Sequence, residues 1–480
     1  MAGETAIYGI GNIATRILNY LLLTPYLTVI FKNNEYGIHG IMYSFSAFLL
    51  VIFSYRMDTA LFRFGVREEE RQKVFGTASI AIMISTAIFL ILFILNAGPI
   101  AKILTSASDT RFVIYFCIII ALDTLTILPF AKLRLENQAK RFVYIKLLNV
   151  VITIIGVLTM LSLLPKLIEK GYALEAYYNR AHLLDYVFLS NLIASFIVVL
   201  SLLPEYFKFK LTFDKALFKK MFRYAFPLII VSLAAVINQL SDRLFINWLI
   251  GIDESGIYNA AVKIAILMSL FATAFNYAAE PFFFKNASKS ENKDIYGQVG
   301  LAFTIVGSVV FLGILFYLDL IQYILGKDFR SGLDIVPVML MAYLFLGLYY
   351  NFSIWYKLSD RTHIGAYIAI GGSIITILLN ILLLPWLGYI GSSWASLSCF
   401  LFMCVAAYFL GQKYYPIQYP IAKIISYIVL AIAFYLFSNW IRPWAGENIY
   451  VILLMNTVLL LMYIGFVFFR ERNGLIKAIR

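Results

Sequence analysis

The sequence predicts an all-α integral membrane protein of about fourteen transmembrane helices, and three observations lead there. Of the 480 residues, 62% are hydrophobic and only 14% charged, with a mean hydropathy of +0.85. A water-soluble domain has no interior large enough to hide that much apolar surface. Apolar runs of about 20 residues, enough to carry a helix across a hydrocarbon core, recur from Ile7 to Phe469 with short polar breaks. The runs are too long and continuous for the alternating pattern of barrel strands. Lipid offers exposed backbone no hydrogen-bond partner, so each run is read as a helix.

The first expected span, 7–31, carries Arg16 and runs past Tyr26 with no small-residue cleavage site behind it, so it is read as a retained helix. Its Tyr8, Asn12, Arg16 and Asn19 recur at steps of three or four and form one polar stripe. In the second span, 39–64, Arg56 and Arg63 lie seven apart on one face while Asp58 projects elsewhere. Spans three and four are 77–98 and 110–131, the latter with Asp123 and Pro129. Spans five and six, 142–164 and 183–203, flank the longest outer loop, Pro165 to His182, which is too short for a catalytic domain. Spans seven and eight, 222–250 and 256–284, carry Asp242, Arg243, Lys263, Asn276 and Glu280. The remaining spans are 296–318, 332–357, 363–384, 388–410, 420–440 and 449–469.

With the N-terminus inside, the cytoplasmic loops collect about 25 Lys and Arg and the outer loops about 9, so both termini are placed in the cytoplasm. The net charge of +13 is mostly this inside bias. It lies in membrane-flanking loops rather than on one soluble face, which argues against nucleic acid as a partner. Cys117, Cys399 and Cys404 all fall within apolar spans and act as small hydrophobes. Glu35-Tyr-Gly-Ile38 after the first span is echoed by Glu254-Ser-Gly-Ile257 after the seventh, and the same offset aligns Asn19 with Asn238. The echo implies two related lobes, 1–205 and 206–412, followed by two additional helices in 413–480.

Ionisable groups within a bilayer are costly, about 2.5–3.5 kcal/mol each on insertion scales, and normally face a protein interior or a wet cavity. Arg16, Arg56, Asp58, Asp123, Asp242, Arg243, Lys263 and Glu280 qualify. One reading makes them structural ion pairs, such as Arg56 with Asp123 or Lys263 with Asp242. The other, favoured for the set, is a polar cavity of positive bias. Arginine and lysine there suit a phosphate group, and the carboxylates suit H+ or Na+ coupling. Prolines and glycines inside spans, among them Gly9, Gly11, Pro25, Pro129, Pro227 and Pro281, are candidate bend points. There is no P-loop, no HExxH and no metal-spaced Cys or His, and His39, His182 and His363 are isolated. No cofactor, metal or enzymatic activity is expected.

The run Asn380-Ile-Leu-Leu-Leu-Pro385-Trp-Leu-Gly388-Tyr-Ile-Gly391-Ser-Ser-Trp-Ala395-Ser resembles a stretch common in Wzx-type polysaccharide and O-antigen flippases, with Ser392 and Ser393 in place of paired alanines. The Glu-x-Gly-Ile turns and the basic stretch from Lys132 to Lys140 are similar to that family too. The family lies in the multidrug/oligosaccharidyl-lipid/polysaccharide exporter superfamily. The resemblance implies two six-helix lobes around a central cavity, two further helices, and alternating access in a bacterial inner membrane. The implied substrate is an oligosaccharide repeat unit on undecaprenyl diphosphate, with surface-polysaccharide assembly proteins as partners. Related lipid II flippases carry cations on helices one, two and eight, where Arg16, Arg56 and Lys263 fall here. The expected diphosphate and glycan site is therefore Arg16, Arg56, Lys263, Asn12 and Asn19, and the expected ion-coupling groups are Asp58, Asp123, Asp242 and Glu280. The rival readings are a multidrug exporter of the same superfamily and, from another class, a membrane polysaccharide polymerase or ligase, which normally needs a sizeable outer loop.

Overall fold

The computed structural model describes residues 11, 14–106, 109–172, 178–179, 182–208, 212–286, 293–359, 361–446 and 448–479, without the side chains of 68, 280–282, 284–286, 293–294 and 473–479. Among these residues every regular element is helical, and thirteen helices are long and apolar enough to cross a membrane. The expected first span is described over 14–30 (α1), so the count of fourteen rests partly on residues outside the description. The chain then runs through α2 (Asn33–Ser54), α3 (Met57–Phe64), α4 (Glu68–Leu95), α5 (Ala97–Leu104), α6 (Thr110–Leu135), α7 (Ala139–Glu169) and α8 (Leu183–Phe207). There follow α9 (Lys215–Leu240), α10 (Asp242–Leu249), α11 (Ile252–Asn286), α12 (Lys293–Phe316), α13 (Lys327–Leu358), α14 (Thr362–Leu387), α15 (Ile390–Tyr414), α16 (Ile421–Ile441) and α17 (Ile449–Ile479).

The chain divides into two compact units, Met1–Asn259 and Ala260–Arg480. In the first, α6 packs against α2, α4 and α8. Its core includes Phe75, Leu128, Ala131 and Tyr206 around α3, and Phe130, Phe142, Ile145 and Leu202 between α6, α7 and α8. In the second, α15 packs on α13 and α14, and α12 packs on α13, α16 and α17. The Asn380 to Ser396 run has a structural use there. Ser392 donates to Asn380 Oδ1 at 2.5 Å and so fastens α15 to α14, with both Ser392 and Ser393 fully buried. On the last two helices, buried Glu471 accepts from Lys423 Nζ and from the Tyr427 hydroxyl at 2.6 Å.

The second span is not one helix. Tyr55 and Arg56 adopt left-handed φ values of 31° and 57°, ending α2 and starting α3 in a new direction. Helical spacing therefore does not carry across the break. Arg56 and Asp58, expected to point apart, form an ion pair at 3.8 Å instead. The Glu-x-Gly-Ile segments are also not loop turns, because both lie in the first turns of helices α2 and α11. Glu35 accepts the Lys32 backbone N–H at 2.9 Å, one of the donors a helix start leaves unmatched. Small size matters at the third position: a Cβ on Gly37 would collide with the Ile252 carbonyl oxygen, and one on Gly256 with that of Asn33. The pairs 37 with 252 and 256 with 33 are the same contact displaced by 219 residues, so the sequence echo corresponds to a reciprocal backbone contact.

Three prolines are absorbed in two ways. Proline removes an amide and crowds the carbonyl four residues back. Pro25 and Pro165 each follow a single π-helical stretch, Asn19–Leu23 and Thr159–Leu163, and take the second position of the α-segment beyond it. The wider turn makes room for the ring. Pro129 instead lies inside continuous α6. The carbonyl it deprives of a partner is that of Leu125, and the buried Tyr206 hydroxyl donates to it at 2.5 Å.

Tyr206→Phe leaves that carbonyl unmatched in an apolar setting and is expected to cost about 1–3 kcal/mol, read as thermal unfolding of the purified chain. In a Pro129→Ala background the helix amide returns to Leu125 and the same change should cost under about 1 kcal/mol. Equal losses in both backgrounds would mean that the hydroxyl does not serve the proline.

Candidate functional site

A cavity of about 470 Å³ lies within the first unit. Each wall comes from one face of a helix. Helix α1 supplies Thr15 together with Arg16 and Asn19, the latter two being the described part of the expected polar stripe. Helix α3, redirected by the break at Tyr55 and Arg56, supplies Asp58 and Phe62, one turn apart. From α6 come Asp123, Thr126, Ile127, Phe130 and Arg134, a stripe at three- and four-residue steps that stays on one face because the helix continues past Pro129. Helix α7 adds Phe142, Lys146 and Asn149 on the same spacing.

The charged groups in this cavity are unequally satisfied. Asp58 pairs with Arg56, which stands behind the wall and donates to Thr59 Oγ1 at 2.9 Å. Asp123 accepts from Ser195 Oγ at 2.8 Å. Against these, Arg16, Arg134 and Lys146 all line the cavity, and among the described residues none of them is in an ion pair. Arg134 lies over the Phe62 ring at 4.8 Å and Lys146 over the Phe130 ring at 4.3 Å. Cation–π contacts of this kind hold a charge weakly, by about 0.5–2 kcal/mol, and leave its hydrogen bonds free for a ligand. Such an arrangement can neutralise an anion, and the rings and the Asn149 amide can meet a sugar.

A buried carboxylate ties together helices that line the cavity. Glu205 on α8 is fully enclosed and accepts from Lys132 Nζ at 2.7 Å, Arg141 Nη1 at 2.5 Å and Lys208 Nζ at 2.6 Å. It thereby ties together α6 beside Arg134, the start of α7, and α8. Lys132 is itself only 1% exposed, so each charge makes the other tolerable in an apolar surround.

Of the residues expected at the site, Arg16, Asn19, Asp58 and Asp123 come together here. Arg56 supports Asp58 without lining the cavity. Asp242 lies elsewhere in the first unit, where its oxygens take Arg243 Nη1 at 2.9 Å and the Tyr258 hydroxyl at 2.7 Å. Lys263 belongs to the second unit. Asn12 and the Glu280 side chain lie outside the described residues. Sequence reasoning passed over Arg134, Lys146 and Asn149. Arg134 falls in the basic stretch beyond the expected fourth span, 110–131, whereas α6 runs to Leu135. Lys146 sits near the start of its apolar run, where a lysine reads as interfacial, but the Phe142, Lys146, Asn149 spacing was a visible signal.

Fold and cavity together define a multi-pass membrane protein whose first unit holds a cavity lined by charged side chains. A sequence profile of the family described as "Polysaccharide biosynthesis protein" matches residues 2–287, and the chain belongs to that family. No curated protein matches it by sequence. Among solved structures it is similar to the lipid II flippase MurJ in an inward closed conformation, with a TM-score of 0.78 and 16% identity over 98% of this chain and 99% of that one. It is also similar to an inward-facing multidrug resistance MATE family transporter of the MOP superfamily, with a TM-score of 0.66 and 10% identity over 82% of this chain and 94% of that one. A third is the MATE multidrug transporter DinF-BH, with a TM-score of 0.59 and 13% identity over 86% of this chain and 95% of that one. At these identities the likeness establishes the MurJ/MATE-like fold.

Glu205→Gln is expected to destabilise the chain by about 3 kcal/mol, because it leaves buried Lys132 with only the longer contact to Glu136, at 3.9 Å, as a counter-charge. Adding Lys132→Met should recover much of that loss in the same unfolding assay. No recovery would show that Glu205 matters for a reason other than its pairing with Lys132.

Proposed function

We propose that the protein is a flippase that carries an undecaprenyl-diphosphate-linked oligosaccharide repeat unit across the bacterial inner membrane for surface polysaccharide assembly. The observation that carries this reading is the trio Arg16, Arg134 and Lys146, three cations that face one cavity and have no ion pair among the described residues. A diphosphate supplies the anion they lack, since arginine meets phosphate oxygens with a two-pronged donor and lysine with a point charge. The glycan would lie against Phe62, Phe130, Asn19 and Asn149, while the polyprenyl chain stays in lipid. Membership of a polysaccharide biosynthesis family and a fold shared with the lipid II flippase MurJ favour this cargo over a drug.

In this proposal two lobes, 1–205 and 206–412, alternate access to the head group and the two tail helices of 413–480 are additions. No bond is made or broken. Arg56 and Lys263 remain diphosphate candidates, and Asn12 a glycan candidate. Of the four carboxylates considered for H+ or Na+ coupling, Asp58 and Asp123 are the pair that line the cavity, and Asp58 Oδ1 is enclosed with no hydrogen-bond partner among the described residues. A multidrug exporter would instead present free carboxylates to cationic drugs, and here both carboxylates have partners.

In a deletion strain, complete repeat units should accumulate on undecaprenyl diphosphate, read by mass spectrometry of the lipid extract, while the surface loses polymer and single units alike. Arg16→Gln combined with Arg134→Gln should fail to restore the surface polysaccharide when expressed at wild-type level in the membrane. Full restoration would remove the phosphate site, and an unaltered lipid pool with raised drug sensitivity would favour the exporter.

A further inference from the structure

A transporter must release what it binds, and three uncompensated cations around one dianion would hold it too well. The cavity contains an answer. Lys146 and Asp123 face it from adjoining helices, Lys146 parked over Phe130 at 4.3 Å and Asp123 held in place by Ser195 at 2.8 Å. The two carry opposite charge and line the same cavity, and they are not in ion-pair contact among the described residues. Phe130 is seven residues from Asp123 along α6, about 10 Å of helix rise. The lysine chain is long and flexible enough to swing between the ring and the carboxylate. Asp58 cannot serve in this way, because Arg56 already pairs with it.

We propose that Asp123 is a built-in counter-anion that competes with the substrate's anionic head group for Lys146, setting the affinity low enough for release. The proposal rests on the lipid-diphosphate reading of this cavity. With the cavity empty, Asp123 offsets the Lys146 charge. With substrate bound, Lys146 turns to a phosphate oxygen and Asp123 keeps only Ser195. When the diphosphate leaves, Lys146 turns back to Phe130 within the field of Asp123, which lowers the cost of parting lysine from phosphate. Asp123 acts through Lys146 rather than by touching the phosphate, and is in that sense a positioning residue.

The test is a double-mutant cycle on the full-length purified chain, with farnesyl diphosphate as a water-soluble probe and binding read by calorimetry. Asp123→Asn keeps the hydrogen bond from Ser195 and should tighten binding about tenfold, the effect of removing one partly screened charge. Lys146→Met should weaken binding, and in that background Asp123→Asn should change nothing. In cells Asp123→Asn should lower surface polysaccharide despite its tighter binding, a split that a merely structural role would not give. Unchanged or weakened binding by Asp123→Asn, or tightening that persists without Lys146, overturns the counter-anion role and leaves the transport reading standing. No binding of the probe by wild type or any variant overturns both.

Discussion

In hydrocarbon a backbone amide or carbonyl without a partner costs several kcal/mol, and the first unit meets that demand at three prolines on cavity-lining helices. Pro25 and Pro165 are met by π-helical turns, and Pro129 by a tyrosine hydroxyl from a neighbouring helix. The compensation is functional as well as structural. Because α6 continues past Pro129, Asp123, Phe130 and Arg134 stay on one face and all reach the cavity. The π turn in α1 begins at Asn19, itself a lining residue.

The break at Tyr55 and Arg56 is the exception that carries strain. Two successive non-glycine residues at left-handed φ cost about 1–3 kcal/mol each, and such strain persists only where surrounding contacts enforce it. Here Tyr55 and Met57 are buried in the core beside Phe75 and Leu128, and Arg56 bonds Thr59 and pairs with Asp58. What the strain secures is the direction of α3, which delivers Asp58 and Phe62 to the cavity. A straight second helix would send those side chains elsewhere.

Charge in the first unit is sorted by whether it has a partner. Glu205, matched by three cations, and Asp242 with Arg243 are enclosed carboxylates with partners, and they hold helices in place. Arg16, Arg134 and Lys146 face the cavity instead, the last two resting on aromatic rings. The same residue types thus hold the bundle together when desolvated as pairs and present themselves to a ligand when left unmatched. Composition does not distinguish the two groups, since both consist of ordinary intramembrane charges.

Fold class and nearly every span were legible in residue order alone, because the length and hydropathy of a membrane helix answer to a local demand that each segment meets for itself. Part of the site was legible too: Arg16 and Asn19 share a helix face by spacing, and an intramembrane Asp58 or Asp123 is conspicuous wherever it falls. Which charges neutralise one another was not legible, and packing settles it. Arg56 pairs with Asp58 because of a helix break that no spacing rule encodes, and Asp242 is taken by its own neighbour Arg243. Arg134 and Lys146 become cavity residues because α6 and α7 set their faces toward α1 and α3. Pairing depends on distance in space, and in a bundle of helices that distance is fixed by breaks and packing that residue order leaves open.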